Sequence, residues 1–307
     1  MLSKPILLRL HRWITFVFAL PLLVVIATGL ILSFEPMTEG RRPAVALTEA
    51  RLLELVRTHD PQGAAVSLAI RGRDDALVLG SPGRAMEIDL ASGAVRAGEP
   101  SALAALYRWA RPVHEHLIFD MGWLVIASTV ALLVLAVLGL LMGWPRLRNT
   151  LGGWHTVSAW GLLPLVILSP LTGLMIVMGL GNSPPPQGAQ GGGGRVPLVE
   201  AVAMVARQHD ITDLSSIRSR GGRMMARVVI DDRPITYAVT RAGLQPLATN
   251  WPRALHEGNW HLTWGPLANA VVSVLFLGLL GTGLTIWLRR TLRQRAIRRE
   301  RLATARA

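Results

Sequence analysis

The chain contains no cysteine. That excludes disulfides, thiolate zinc sites, cysteine-ligated iron–sulfur clusters and covalent haem attachment through a CxxCH motif. Metal chemistry here is left to histidine, carboxylate and methionine. Charge is also scarce: only 17% of the 307 residues are charged, against 51% hydrophobic, which counts against a soluble globular protein. No HExxH motif occurs, so the commonest histidine–carboxylate zinc signature is missing as well.

Long apolar runs, in contrast, are plentiful. Four are long enough for the roughly 20 residues that span a bilayer core: Trp13–Phe34, Leu117–Trp144, Val157–Leu180 and Leu267–Leu288. The first resembles a signal sequence, with Lys4, Arg9 and Arg12 before it. It is too long for one and lacks a small-residue cleavage site, so it reads as an uncleaved helix. Acids are few where bases cluster. Three basic residues precede the first run, two (Arg146 and Arg148) stand between the second and third, and eight follow Leu288, with Glu300 as the one acid among them. The intervening segments hold 19 basic and 18 acidic residues, so the net charge is +12 on one side of the membrane and +1 on the other. By the preference of Lys and Arg for cytoplasmic flanks, both termini are expected in the cytoplasm and two domains outside. The Arg-rich tail RRTLRQRAIRRER reads as a topogenic segment on anionic lipid, with no nucleic-acid role.

The chain is written twice. His11 to His155 and Thr28-Gly29 to Thr172-Gly173 are both separations of 144 residues; His114-Glu115 to His256-Glu257 is 142. The outward segments match too: LLELVRTHD ends at His59-Asp60 and AVAMVARQHD at His209-Asp210, each with apolar residues at helical spacing. Strand-like runs follow, with hairpin turns at Ser92-Gly93 and Ala242-Gly243. The expected fold is therefore membrane α-helical: four transmembrane helices in two repeated halves related as a parallel repeat, with two small extracytoplasmic α+β domains. The expected order is an N-terminus and helix over 1–34, a domain over 35–113, helix 114–146, a turn and helix over 147–180, a Gly-rich linker and second domain over 181–255, helix 256–288 and a basic tail over 289–307. The linker, Ser183–Gly194, carries no chemistry.

Four of the eight histidines fall at duplicated helix ends: His11 and His155 at the cytoplasmic ends, His114 and His256 at the outer ends. Eighteen residues make five turns at 3.6 per turn, which puts Gly29 on the stripe of His11 and Gly173 on that of His155. Twenty-five residues, about seven turns, relate Gly139 to His114 and Gly281 to His256, although Pro266 is placed to break the last helix between them. Paired histidines beside side-chain-free walls suit a flat macrocycle with two axial imidazoles; close helix packing also accounts for the glycines. Without thiolates, two histidine pairs fit two non-covalent haem b groups, whose filled axial positions suit single-electron transfer. A histidine–carboxylate zinc site around His114, His116, His256 and His261 is the alternative, though residues two apart do not share a helical face. His116 and His261 are second-choice haem ligands, and His59 and His209 are assigned no chemistry.

The stretches LHRWITFVFALPLLVVIATGL, VHEHLIFDMG, GWHTVSAWGLLPLVILSPLTGL and LHEGNWHLTWG resemble the PepSY-associated transmembrane helix family, and MEIDLASGAVRAGE resembles a PepSY hairpin. The resemblance covers most of the chain. It implies a bacterial inner-membrane protein tied to iron uptake, similar to di-haem ferric-siderophore reductases, with His11, His155, His114 and His256 as haem ligands. The implied partners are the lipid bilayer, a ferric siderophore or other periplasmic acceptor, and an external donor, either a quinol or a cytoplasmic reductase. The cytoplasmic pieces are too short to hold a flavin or nicotinamide domain, so the donor is expected to be another molecule. The rivals are a non-enzymatic accessory binding a periplasmic partner and a transporter component. A transporter needs intramembrane polar residues along a path, and these helices carry almost none away from their ends.

The charge division gives the first prediction. A reporter fused after Ala307 is expected to be active only in the cytoplasm, and activity on the periplasmic side would overturn the topology.

Overall fold

A computed structural model describes residues 3–96, 101–145, 148–181, 196–220 and 222–304. The linker Ser183–Gly194, Arg146 and the last three residues of the tail lie outside the described residues. The elements run α1 (Lys4–Ser33), α2 (Glu35–Glu39), α3 (Glu49–His59), β1 (Ser67–Arg71), β2 (Ala76–Ser81), β3 (Arg84–Asp89), α4 (Ala102–His116), α5 (Gly122–Leu141), α6 (Leu151–Gly161), α7 (Leu163–Val177), α8 (Leu198–Ala206), β4 (Leu214–Arg220), β5 (Arg223–Ile230), β6 (Arg233–Thr240), β7 (Gly243–Pro246), α9 (Trp251–Glu257) and α10 (Trp264–Thr304). They form two compact units. One comprises Met1–Leu32, Arg108–Met178 and Asn269–Ala307; the other comprises Ser33–Tyr107 and Gly179–Ala268.

The first unit is the membrane part. Three helical segments, Lys4–Glu39, Gly122–Leu141 and Trp264–Thr304, are long and apolar enough to cross a bilayer. The pair α6 and α7, bent by 64°, makes a fourth if it counts as one span. A helix is the form an apolar segment must take in hydrocarbon, because it satisfies its backbone polar groups internally. The large side chains of these helices stay outward: Trp13, Val17 and Leu20 on α1 and Val134, Val137 and Leu141 on α5 are all exposed. In water that surface would be a liability; against lipid it is solvated. The bundle interior is small, built from Leu22, Ile26, Val166, Val272 and Phe276. The bend between α6 and α7 falls where Pro164 opens α7. Its ring has no N–H to give and crowds the carbonyl four residues back.

Two expected spans begin differently. The helix expected from 114 is interrupted: α4 ends at His116, and Leu117, Phe119 and Asp120 take positive φ before α5 starts at Gly122. The helix expected from 256 is interrupted as well. It stops at Gly258, whose φ of 69° is a left-handed cap that glycine adopts without a Cβ penalty. Pro266, expected to break the helix, instead sits in the first turn of α10, where its missing N–H would be unpaired in any case. The seven-turn stripes from His114 to Gly139 and from His256 to Gly281 therefore do not run along single helices.

In the second unit the two small expected domains are joined. Its strands make one antiparallel sheet of seven, in the order β3-β2-β1-β4-β5-β6-β7. The two halves meet at their first strands, with Ser67 opposite Arg218, Leu68 opposite Ile217 and Ala69 opposite Ser216. Helices α3 and α8 pack on each other. They share a single core with the sheet: Leu52, Leu55 and Val56 of α3, Val202 and Val205 of α8, and Leu68, Leu77, Ile88, Ile217, Met224 and Val228 of the strands. The physical reason is size. Three or four strands under one helix bury too little surface to stand alone, and joining edges doubles the core while removing two exposed strand edges. Both expected hairpins form. Ser92-Gly93 turns the chain from β3 back to the Ile88–Val95 bridge, with Gly93 at φ 74°. Asp89 closes that turn by accepting from the Ser92 amide at 2.8 Å and from Arg96 at 2.7 Å. These bonds hold its carboxyl well below the usual range. Ala242-Gly243 joins β6 to β7.

If the sheet is one unit, its halves fail together. Leu68→Ala and Ile217→Ala are each expected to cost about 2–5 kcal/mol. Limited proteolysis of either variant should expose sites in both halves at the same denaturant concentration.

Candidate functional site

Two of the four singled-out histidines are docked in the same way at different places in the membrane unit. His114 stands in the last turn of α4. Its Nδ1 lies 2.9 Å from the Val25 carbonyl and 3.2 Å from the Thr28 hydroxyl, both on α1. The Thr28 hydroxyl sits 2.7 Å from the Val24 carbonyl and 3.0 Å from that of Val25, so its proton is already donated. A carbonyl can only accept, and Thr28 has no proton left. His114 Nδ1 must therefore carry the hydrogen, and Nε2 keeps a lone pair. Gly29 makes room for the ring: a Cβ there would lie 3.1 Å from His114 Cε1.

His155, on α6, repeats the arrangement. Its Nδ1 is 2.9 Å from the Thr282 hydroxyl on α10. Thr282 donates to the carbonyls of Gly278 and Leu279, at 2.7 and 3.1 Å. Again Nδ1 is the donor and Nε2 the free base. The glycine opposite this ring is Gly283, whose Cβ would lie 3.5 Å from His155 Cε1. Each imidazole thus rests on a Thr-Gly pair of another helix, Thr28-Gly29 or Thr282-Gly283.

A family model described as the PepSY-associated TM region matches residues 8–290. The chain belongs to this family. It is accordingly a multi-pass membrane protein with an α+β part. No curated protein matches it at significant similarity.

The remaining histidines of this PepSY-associated protein differ in their environments. His11, on α1, interacts with the backbone of Leu135 and lies within electrostatic reach of His155. Its Nδ1 is buried with no hydrogen-bond partner. The repeat explains why. Counting back 144 residues turns Leu279 into Leu135, Gly283 into Gly139 and Thr282 into Leu138, which has no hydroxyl. A buried ring nitrogen without a partner costs about 1–3 kcal/mol, so this one is a candidate for an added ligand. Thr28 stands 17 residues after His11 on one helix, about 25 Å along its axis, so the His114 dock and the His11–His155 neighbourhood occupy opposite ends of the unit.

His256 lies in the other unit, in the last turn of α9, beside Arg253 and Glu257. His261 has another task. Its Nδ1 accepts from the amides of Thr263 and Trp264, at 3.2 and 3.4 Å, which caps the start of α10 and leaves the hydrogen on Nε2. His116 is half exposed, 3.6 Å from Asp120 and 3.9 Å from Glu115. His59 bonds the Gly93 carbonyl at 2.9 Å and His209 stacks on Tyr237. Among the described residues no group of three or more His, Asp and Glu side chains is placed to hold a metal ion, so the zinc alternative has no such cluster to rest on.

The glycines divide. Gly29 faces a histidine, and Gly173 follows the buried Thr172 on α7. A Cβ on Gly139 or Gly281 would meet nothing within 4 Å. Gly283 and Thr282 were not singled out by the stripe, because the 142-residue offset led from Gly139 to Gly281. The 144-residue offset of the helices leads to Gly283.

Gly29→Leu is expected to push the His114 ring off Thr28 and lower the thermal midpoint of the purified protein by several degrees. Gly139→Ala, in open space on α5, should change stability by no more than about 1 kcal/mol.

Proposed function

We propose that this PepSY-associated membrane protein holds two haem b groups and passes electrons across the bacterial inner membrane to a periplasmic acceptor, ferric iron in a siderophore. The observation that carries the reading is the tautomer at His114 and His155. Each gives its Nδ1 hydrogen to the protein and keeps its Nε2 lone pair, the form in which imidazole ligates a metal and the usual means by which a second shell orients it. His11 differs, since its buried Nδ1 has no such partner. In this reading His11 and His155 hold one haem at the cytoplasmic side, and His114 and His256 hold the other at the outer side.

Bound haem with two imidazole ligands supplies a reversible one-electron change at an iron without an open coordination position. The chain does the rest. Thr28, Val25 and Thr282 fix the ring orientation and proton position of their histidines. Gly29 and Gly283 let the rings approach the neighbouring helix. The apolar helices keep water from the path, and the basic flanks set the direction, with both termini cytoplasmic. The donor is a quinol or a cytoplasmic reductase. Reduction of the acceptor loosens iron because hard oxygen donors hold Fe(II) less firmly than Fe(III).

The purified protein is expected to be red, with about two haems b that acid-acetone releases, since no cysteine tethers them. A colourless protein made with ample haem would sink this reading in favour of a haem-free accessory. His155→Ala should lose about one haem and leave the other spectrum normal, and His256→Ala should do the reverse, because ligands some 30 Å apart across the bilayer cannot share an iron. Alanine at His116 or His261 should leave both haems in place.

A further inference from the structure

On the sheet face opposite the α3–α8 core, a row of short side chains crosses four strands around one arginine. Ala69 of β1 faces Ser216 of β4, Ser216 faces Arg227 of β5, and Arg227 faces Thr236 of β6. Arg218 lies two residues along β4 from Ser216, on the same face and diagonal to Arg227. Ser216 in the middle of the row is only 7% exposed, while Arg218 beside it is exposed. Arg227 is half-buried and within electrostatic reach of Arg218 and of two residues of α9, Arg253 and Glu257.

Arg253, His256 and Glu257 stand at positions i, i+3 and i+4, which share one face of a helix. The face of α9 turned toward Arg227 is therefore the one that carries His256. The charges in this corner do not balance. Glu257 is the carboxylate within reach, and it is already used: it accepts from Arg253 Nη1 at 2.5 Å and from Asn259 Nδ2 at 2.7 Å. Among the described residues, the two partly buried guanidinium groups of Arg227 and Arg253 share that acid, with the exposed Arg218 nearby. Arg253 Nε is buried without any hydrogen-bond partner. A buried, unsatisfied guanidinium donor among like charges is costly, and an anion brought to it relieves both the missing bond and the repulsion. Arginine's planar fork matches a carboxylate in two parallel bonds.

We propose that Arg218, Arg227 and Arg253 form a carboxylate-binding site beside His256 that takes the propionate groups of the outer haem. This rests on the haem reading above and adds to it what recognises the porphyrin edge, where His256 reaches only the iron. The site would also set which way round the porphyrin enters, since only the edge bearing the acids is drawn to the arginines.

Haem b and its dimethyl ester, which has the same iron and ring but no carboxylate charge, separate the possibilities. The full-length protein freed of haem is titrated with each, and uptake is followed by the bis-imidazole absorbance. The expected result is a preference for haem over the ester of roughly tenfold or more at one of the two sites, the size of one or two charge-assisted hydrogen bonds. Arg227→Met with Arg253→Met should abolish that preference by weakening haem and leaving the ester unchanged, and Arg227→Lys should keep most of it. Equal affinity of the wild-type protein for both compounds, or an equal loss of both in the double variant, overturns the propionate site while leaving the di-haem reading intact. Uptake of neither compound overturns both.

Discussion

A neutral imidazole has one N–H and one lone pair, and inside an apolar bundle each needs a partner. That requirement organises the membrane unit. The N–H is answered by carbonyls and hydroxyls that helices 1 and 10 present to a neighbour: Val25 and Thr28 to His114, Thr282 to His155. Those acceptors are available only because threonine hands its own proton back to its helix, which costs the helix little. The lone pair stays on Nε2, the atom through which a neutral imidazole holds a metal. His11 shows what happens when the acceptor is missing. Leucine replaces threonine at the corresponding place of the first half, and the ring keeps an unpaired nitrogen.

A second constraint acts on the other unit. Each half of it has one helix and a few strands, too little to exclude water by itself. The halves resolve this through the β1–β4 pairing, which turns a sequence duplication into a single sheet with a single core. One consequence is that the sheet face away from α3 and α8 is continuous across the duplication. Arginines stand on it in both halves, Arg71 on β1 and Arg218 and Arg227 on β4 and β5, but Arg71 is paired with Glu87 at 3.1 Å.

Much of this was legible in the sequence. Apolar run length and the 144-residue repeat determined the membrane helices, because the bilayer demands length and full backbone pairing whatever the neighbours are. Alternation and turn residues determined both hairpins. The pairing of histidine with glycine was legible for Gly29 only in part: the glycine was found, but as a partner of His11 on its own helix, whereas the ring that fills its space is His114 from another. A periodicity count along one helix sees neighbours on that helix and none across the bundle.

The tertiary structure alone decided the rest. Where α4 breaks depends on positive-φ residues such as Leu117 and Phe119, which carry no turn signature. Which histidine gives up its Nδ1 hydrogen, and which one accepts at that atom as His261 does, depends on the groups that packing brings opposite. Spacing can say that a histidine stands at a helix end. Whether its base nitrogen is free there is fixed only by hydrogen bonds between residues as far apart in the chain as His155 and Thr282.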